Sequence, residues 1–195
     1  MRIRIGPIAP LYHWSRLRRA QRIVIGAGGS RHPGWCPTDR ELLDVTRRAD
    51  FARYWKPSSR RAFLAEHVWE HLTPDQARKA NRNCFEFLAP GGWIRLAVPD
   101  GLHPDAEYRD RVRPGGKGPG ADDHKVLYDY RSLPSTLEEA GFRTTLLEYW
   151  DEDGLFHTVP WSLEDGPIER SARTDPRNAG DRLEYTSLII DAIRE

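Results

Sequence analysis

The stretch TPDQARKANRNCFEFLAPGGWIRLAVPD, residues 73–100, decides the architecture. Thr73 is a helix N-cap, Pro74 takes the first helical position, and Gln76 completes a capping box. Ala77, Ala80, Cys84, Phe85 and Leu88 then recur on one helical face until Pro90-Gly91-Gly92 ends the pattern. Trp93 to Val98 reads as a strand that runs into Pro99-Asp100-Gly101. A helix that feeds a strand through a glycine turn is the repeating unit of an α/β sheet.

Working outward, the apolar β-branched run Arg22 to Ile25 (RIVI) stops at Gly26-Ala27-Gly28-Gly29, which predicts a buried strand ending in a glycine turn. Glu41 to Val45 (ELLDV) and Arg61 to Ala65 (RAFLA) predict two more strands. A second helix is expected from Ser132 to Ala140, closed by Gly141, and a strand from Arg143 to Trp150. The last strand is expected over Leu183 to Ile193, pairing antiparallel with its predecessor at the sheet edge. Residues 101–123 carry Pro104, Pro114, Pro119 and five glycines. That many breakers predicts an irregular lid, held down mainly by Leu102, Tyr108 and Val112.

The 195 residues fit one domain spanning the whole chain. Mean hydropathy is −0.70, yet seven Trp, seven Tyr and six Phe supply core matter that a disordered chain lacks. No apolar run reaches the ~18 residues of a membrane span, and a cytoplasmic protein with no membrane partner is expected. Cys36 and Cys84 are too few for a metal quartet or a disulfide framework. Residues 1–38 hold seven Arg and no Asp or Glu, so residues 1–21 are read as a basic flank, helical, beside the first strand. In the lid, Arg109, Arg111, Arg113 and Lys117 are nearly cancelled by Asp105, Glu107, Asp110, Asp122 and Asp123. Nucleic acid is therefore not an expected partner, and the residues say nothing of oligomeric state.

Three groups of residues are candidates for chemistry. Gly26 and Gly28 fit G-x-G, although Arg31 stands where a dinucleotide fingerprint has its third glycine. Asp39, thirteen residues after Gly26, is placed to accept from the hydroxyls of a ribose. His67-Val68-Trp69-Glu70-His71 matches H-x-x-E-H, in which His67 and His71 hold zinc and Glu70 serves as base. That motif needs one long helix, whereas Thr73-Pro74 begins a new helix two residues later, so no metal is expected. His67, Asp100, His103 and His124 are the candidate general bases.

In order along the chain, Gly26-Ala27-Gly28, Pro33-Gly34-Trp35, Asp39, Leu43-Asp44-Val45, the element Ala65 to Leu72 (AEHVWEHL), the helix 73–88, Pro90-Gly91-Gly92 and Val98-Pro99-Asp100 form a recognisable series. With His124-Lys125 and Leu137-Glu138-Glu139-Ala140-Gly141-Phe142 it resembles small class I S-adenosylmethionine (SAM) dependent methyltransferases over about two thirds of the chain. The resemblance implies a Rossmann-like α/β fold: a seven-stranded, mostly parallel sheet with helices on both faces and an antiparallel last strand. It implies SAM as cofactor and methyl transfer to a small-molecule acceptor. Gly26, Ala27 and Gly28 would face the methionine part of SAM, Asp39 the ribose and Asp44 the adenine, with Glu66 and His67 beside the sulfonium. His67, Asp100 and His124 would serve catalysis. Two departures stand out. Val24 occupies a position that is often acidic, and the space between Gly29 and Trp35 leaves the first helix trimmed. A SAM- or nucleotide-binding protein with another reaction, or none, and a zinc hydrolase built on His67, Glu70 and His71 are the alternatives.

Overall fold

The structure, a computed structural model, describes residues 8–178 and 182–195. Seven strands form one sheet: β1 (Arg22–Ile25), β2 (Cys36–Thr38), β3 (Arg60–Glu66), β4 (Leu88–Pro99), β5 (Arg143–Trp150), β6 (Phe156–Thr158) and β7 (Ser187–Ile193). Their order is β2-β1-β3-β4-β7-β5-β6. The first four strands run parallel, while β7 is antiparallel to both β4 and β5. The last strand thus sits inside the sheet rather than at its edge. The edge is closed by β6, three residues antiparallel to β5 that carry no pattern of their own in the sequence.

The helices are α1 (Ile8–Arg19), α2 (Arg48–Tyr54), α3 (Pro74–Phe87), α4 (Ala106–Val112) and α5 (Ser132–Glu138). α3 starts as read: the Thr73 hydroxyl accepts from the Gln76 N–H, and the Gln76 side chain accepts from the Thr73 N–H. Its apolar face, together with α2 and α5, packs on Ile23, Ile25, Phe63, Ile94, Leu96 and Ile190 to make the main core. β4 begins earlier than expected. Pro90 to Gly92 form an irregularity within the strand, where pairing with β3 shifts between Arg60 and Ala62.

Two expectations give way. Glu41 to Val45 is a turn, not a strand, in which the Leu42 and Leu43 N–H groups bond back to the Asp39 carbonyl. With the first helix trimmed, the chain reaches the free edge of β1 sooner, and Cys36–Thr38 takes that place. Residues 101–123 are not wholly irregular either. Asp105 caps α4, accepting from the Glu107 and Tyr108 N–H groups, and Tyr108, Val112 and Ala121 are buried.

The opposite face of the sheet lacks a helix after the glycine turn. Val24, Leu64, Ala97, Leu147 and Ile189 are covered there by Trp35, Trp161 and Ile168. Much of the cover is the irregular stretch 159–178, and charged side chains on the strands satisfy its backbone. Arg95, 2% exposed, pairs with Asp191 and donates to the Ser162 and Gly166 carbonyls. Glu66 accepts from the Glu169 and Arg170 N–H groups, and Glu148 from the Ala172 N–H and the Trp161 indole.

At the carboxyl end of β4, Asp100 is fully buried. Its carboxylate accepts from the Leu102 and Trp150 N–H groups, and its own N–H donates to the Tyr108 hydroxyl. That hydroxyl donates to the Thr186 carbonyl, and the Tyr108 ring stacks on buried His103 at 4.0 Å. Burial pushes the Asp100 carboxyl up to about 6 against the pull of its amide hydrogen bonds, and pushes His103 down to about 4.

Replacing Arg95 with Met strands Asp191 and two carbonyls, at a cost of about 3–5 kcal/mol. Denaturant unfolding should show that loss, and hydrogen exchange should speed up across 159–178 before it does in α3. The Asp100 and His103 shifts have opposite signs. The folded state holds a proton on Asp100 more tightly than the unfolded chain does, so that contribution grows as pH falls from about 6 toward 3.8. The folded state holds His103 neutral, so its contribution is lost as pH falls from 6.5 toward about 4. Asp100→Asn should therefore be more damaging at pH 5 than at pH 7. His103→Phe should compare better with the parent at pH 5 than at pH 7. Urea titrations at the two values check both signs.

Candidate functional site

The parallel strands β1 and β3 end side by side, and their carboxyl ends carry the glycine turn and His67. Gly26 (φ +65°) and Gly28 (φ +53°) take left-handed conformations that glycine adopts without strain. At Gly26 a Cβ would lie 2.5 Å from the Val68 side chain, so the turn and the His67–Val68 corner are packed against each other. Nothing stands within 4 Å of where a Cβ would be on Gly28 or Gly29. The turn is pinned by two bonds to the end of β2: the Ala27 N–H to the Thr38 carbonyl at 2.8 Å, and the Gly28 N–H to Asp39 Oδ1 at 2.7 Å. Asp39 thus holds the loop with one oxygen and keeps Oδ2 outside that bond.

His67 leaves β3 with φ +55°, a left-handed conformation that costs a non-glycine residue about 1–2 kcal/mol. Its N–H donates to the Ala97 carbonyl, its Nε2 lies 3.1 Å from the Ser187 hydroxyl, and its Nδ1 lies 3.2 Å from Glu70 Oε1. The strained corner swings the ring over the strand ends, where it lines three adjoining cavities.

The first cavity, about 250 Å³, is bounded by Gly26 to Ser30, Glu66, His67 and Arg170. The second, about 360 Å³, has an apolar wall of Leu43, Val45, Val68 and Leu72 beside Asp44 and Thr46. The third, about 460 Å³, lies between His67, Glu70, His71 and His124 on one hand and Arg111, Arg170, Arg177 and Tyr185 on the other.

The expected site residues divide accordingly. Gly26, Ala27, Gly28, Glu66 and His67 share the first cavity, and Asp44 stands in the second. Glu66 is engaged by two backbone N–H groups and the Arg170 guanidinium, so it fixes the cavity wall. Asp44 accepts from the Thr46 N–H and hydroxyl. Partial burial works against its charge, but those bonds and Arg40 and Arg47 outweigh it and hold the carboxyl below its usual range. Asp100 does not reach any of the three cavities. Both its oxygens are spent on backbone amides, which makes it a structural knot rather than the catalytic group expected. His103 is likewise sealed in, with Nδ1 accepting from the Asp105 N–H.

His124 does line the third cavity, with Nδ1 2.6 Å from the Val112 carbonyl. The H-x-x-E-H residues are not on one helix: Trp69–His71 is a single 3₁₀ turn, and the His67 ring is held through Nε2 by the Ser187 hydroxyl. The two-histidine geometry of a helical zinc-protease motif is therefore not formed. Sequence reading missed Arg170, Arg177 and Tyr185. They come from the irregular cover, where Arg177 stacks on the Tyr185 ring at 3.5 Å, and no periodicity marks them.

Comparison with known proteins agrees with this arrangement at the level of the fold. No family model matches the chain, and no curated protein matches it in sequence. Among solved structures, it is similar to a SAM-dependent methyltransferase from Archaeoglobus fulgidus, with 14% identity, 95% of this chain and 90% of that chain covered, and a TM-score of 0.51. A possible histamine N-methyltransferase from Thermotoga maritima has 11% identity, covers 96% of each chain and gives 0.52. A methyltransferase from Mesorhizobium loti has 12% identity, coverages of 93% and 97%, and 0.52. The element order, the mixed seven-stranded sheet and these likenesses together establish that the chain has the class I SAM-dependent methyltransferase fold.

Proposed function

We propose that the protein binds SAM and transfers its methyl group to a small-molecule acceptor. The observation that carries the reading is the position of His67: it sits at the junction of three cavities at the carboxyl ends of parallel strands, where α/β sheets bind ligands. The residues present fit the cofactor. Open space above Gly28 and Gly29 admits close approach of a ligand to the backbone, and Glu66, held in the wall by two amides and Arg170, would border the sulfonium end. Asp39, at the foot of the glycine turn, would accept from a ribose hydroxyl through the oxygen not bonded to Gly28. The apolar wall of Leu43, Val45, Val68 and Leu72 suits a purine, with Asp44 at its rim.

Bound SAM supplies a sulfonium-activated methyl group. The protein's own part is alignment, because in-line displacement depends mainly on holding the acceptor atom against the methyl carbon. The third cavity takes the acceptor. Residues 101–123 wall it with Arg111, Val112, Gly118, Pro119 and Ala121, while Asp123 at the segment's end borders the second cavity, so this segment covers mainly the acceptor. His67 borders both compartments. With Nδ1 facing a carboxylate, its Nε2 faces the Ser187 hydroxyl, an arrangement that positions the ring.

Calorimetry with SAM and its demethylated product tests the binding. Saturable binding of either is expected, and Asp39→Ala should weaken it by about 1–3 kcal/mol, since it removes an acceptor from a polar group. Turnover is read as release of the demethylated product in the presence of candidate acceptors. Binding without turnover across a broad panel would favour the SAM-binding protein that performs no methyl transfer. Val24, at a position that is often acidic, and the trimmed first helix between Gly29 and Trp35 are the features of the sequence consistent with that alternative. Absence of binding to either compound sinks both readings.

A further inference from the structure

Glu70 presents a problem that neither the fold nor methyl transfer explains. The residue is 1% exposed, and among the described residues neither carboxylate oxygen makes a hydrogen bond, although His67 Nδ1 approaches Oε1 at 3.2 Å. A buried carboxylate without hydrogen bonds is costly, and a native structure that keeps one has a use for it.

The surroundings suggest the use. The Glu70 carbonyl accepts from the Lys125 N–H at 2.7 Å and from the Val126 N–H, which draws His124 alongside. His71 and His124 meet edge to face with ring centres 4.7 Å apart. One donor atom each from Glu70, His71 and His124 lies within 4.8 Å of the other two. Both imidazoles are oriented from behind. His124 Nδ1 is held by the Val112 carbonyl, and His71 Nδ1 faces Asp123 at 3.4 Å. A histidine whose second nitrogen is fixed by a carbonyl or carboxylate is set up as a metal ligand through the first.

We propose that Glu70, His71 and His124 bind one divalent transition-metal ion of the zinc class. Two imidazoles and a carboxylate suit Zn²⁺, with bonds of about 2.0–2.2 Å. Occupation then draws the donors together by about an ångström from their present spacing. Three protein ligands leave a fourth position open, the arrangement of a metal that meets a ligand rather than one that staples the fold. Arg111, Arg170 and Arg177 line the same cavity, so the open position suits an anionic group such as a carboxylate or phosphate. The sequence reading expected no metal because it considered His67 with His71 on a broken helix. The ligand set here replaces His67 with His124, fifty-three residues beyond His71. The inference is independent of methyl transfer, since it concerns binding by these three side chains alone.

The test uses untagged full-length protein, stripped with chelator and then titrated with Zn²⁺. Calorimetry and elemental analysis should find one equivalent, lost in Glu70→Gln and His124→Ala and kept in His157→Ala, whose imidazole lies elsewhere beside Asp151. His71 is half-buried, so His71→Ala keeps the test decisive if His124→Ala fails to fold; circular dichroism checks each variant. Co²⁺ in place of Zn²⁺ should give the strong visible absorption of a four-coordinate site in the parent and lose it in His71→Ala. Failure to retain zinc near one equivalent, or retention unchanged in Glu70→Gln and His71→Ala, overturns the proposal. Neither result bears on SAM binding, which is measured separately.

Discussion

A sheet face can be covered without a helix only if the covering chain finds partners for its backbone N–H and C=O groups. A helix satisfies most of its own; an irregular segment cannot. Here the strands provide them. Glu66 on β3, Arg95 on β4 and Glu148 on β5 project from the face that the trimmed first helix leaves bare, and each bonds to backbone groups of residues 159–178. These charges are tolerated in a near-dry layer because they are saturated: Arg95 by Asp191 and two carbonyls, Glu148 by an amide and an indole. The same bonds bring Arg170 to the first cavity, so the device that closes the fold also completes the site.

The site itself rests on a corner that the chain would not adopt unaided. His67 holds a left-handed backbone because its N–H is bonded to β4, its ring is bonded to β7, and Val68 is wedged against Gly26. Strain of this kind persists where the surroundings over-determine it, and such places concentrate at ligand sites. The corner sends the next residues into a single 3₁₀ turn instead of a helix. Trp69, fully buried and donating to Asn81, then anchors that turn to α3.

What the sequence made legible was whatever had a local cause. The Thr73 capping box, the RIVI run and the β-branched strand ending at Trp150 each announce their element, and the structure places α3, β1 and β5 accordingly. ELLDV misled because apolar content alone does not supply a neighbour; β1 had already accepted Cys36–Thr38 at its edge. In 101–123 the Gly and Pro content hid a helix whose signals were nonetheless written. Asp105 is an N-cap, and Tyr108 and Val112 are one turn apart on the buried face. The glycine turn and its neighbours were locatable from spacing. The approach of His124 to Glu70, and of Arg170 and Arg177 to the cavities, depends on backbone bonds between distant segments, which leave no periodic trace.

The way the cover is held has a consequence for how its sequence can drift. Carboxylates on β3 and β5 grip main-chain N–H groups at Glu169, Arg170 and Ala172, and every amino acid except proline offers that group. These bonds therefore impose almost no side-chain identity on the segment they fasten, only the exclusion of proline at three places. Selection acting through them falls on Glu66 and Glu148. The residues they grip are left open to change, Arg170 for the cavity it borders and the others for whatever the outer surface meets.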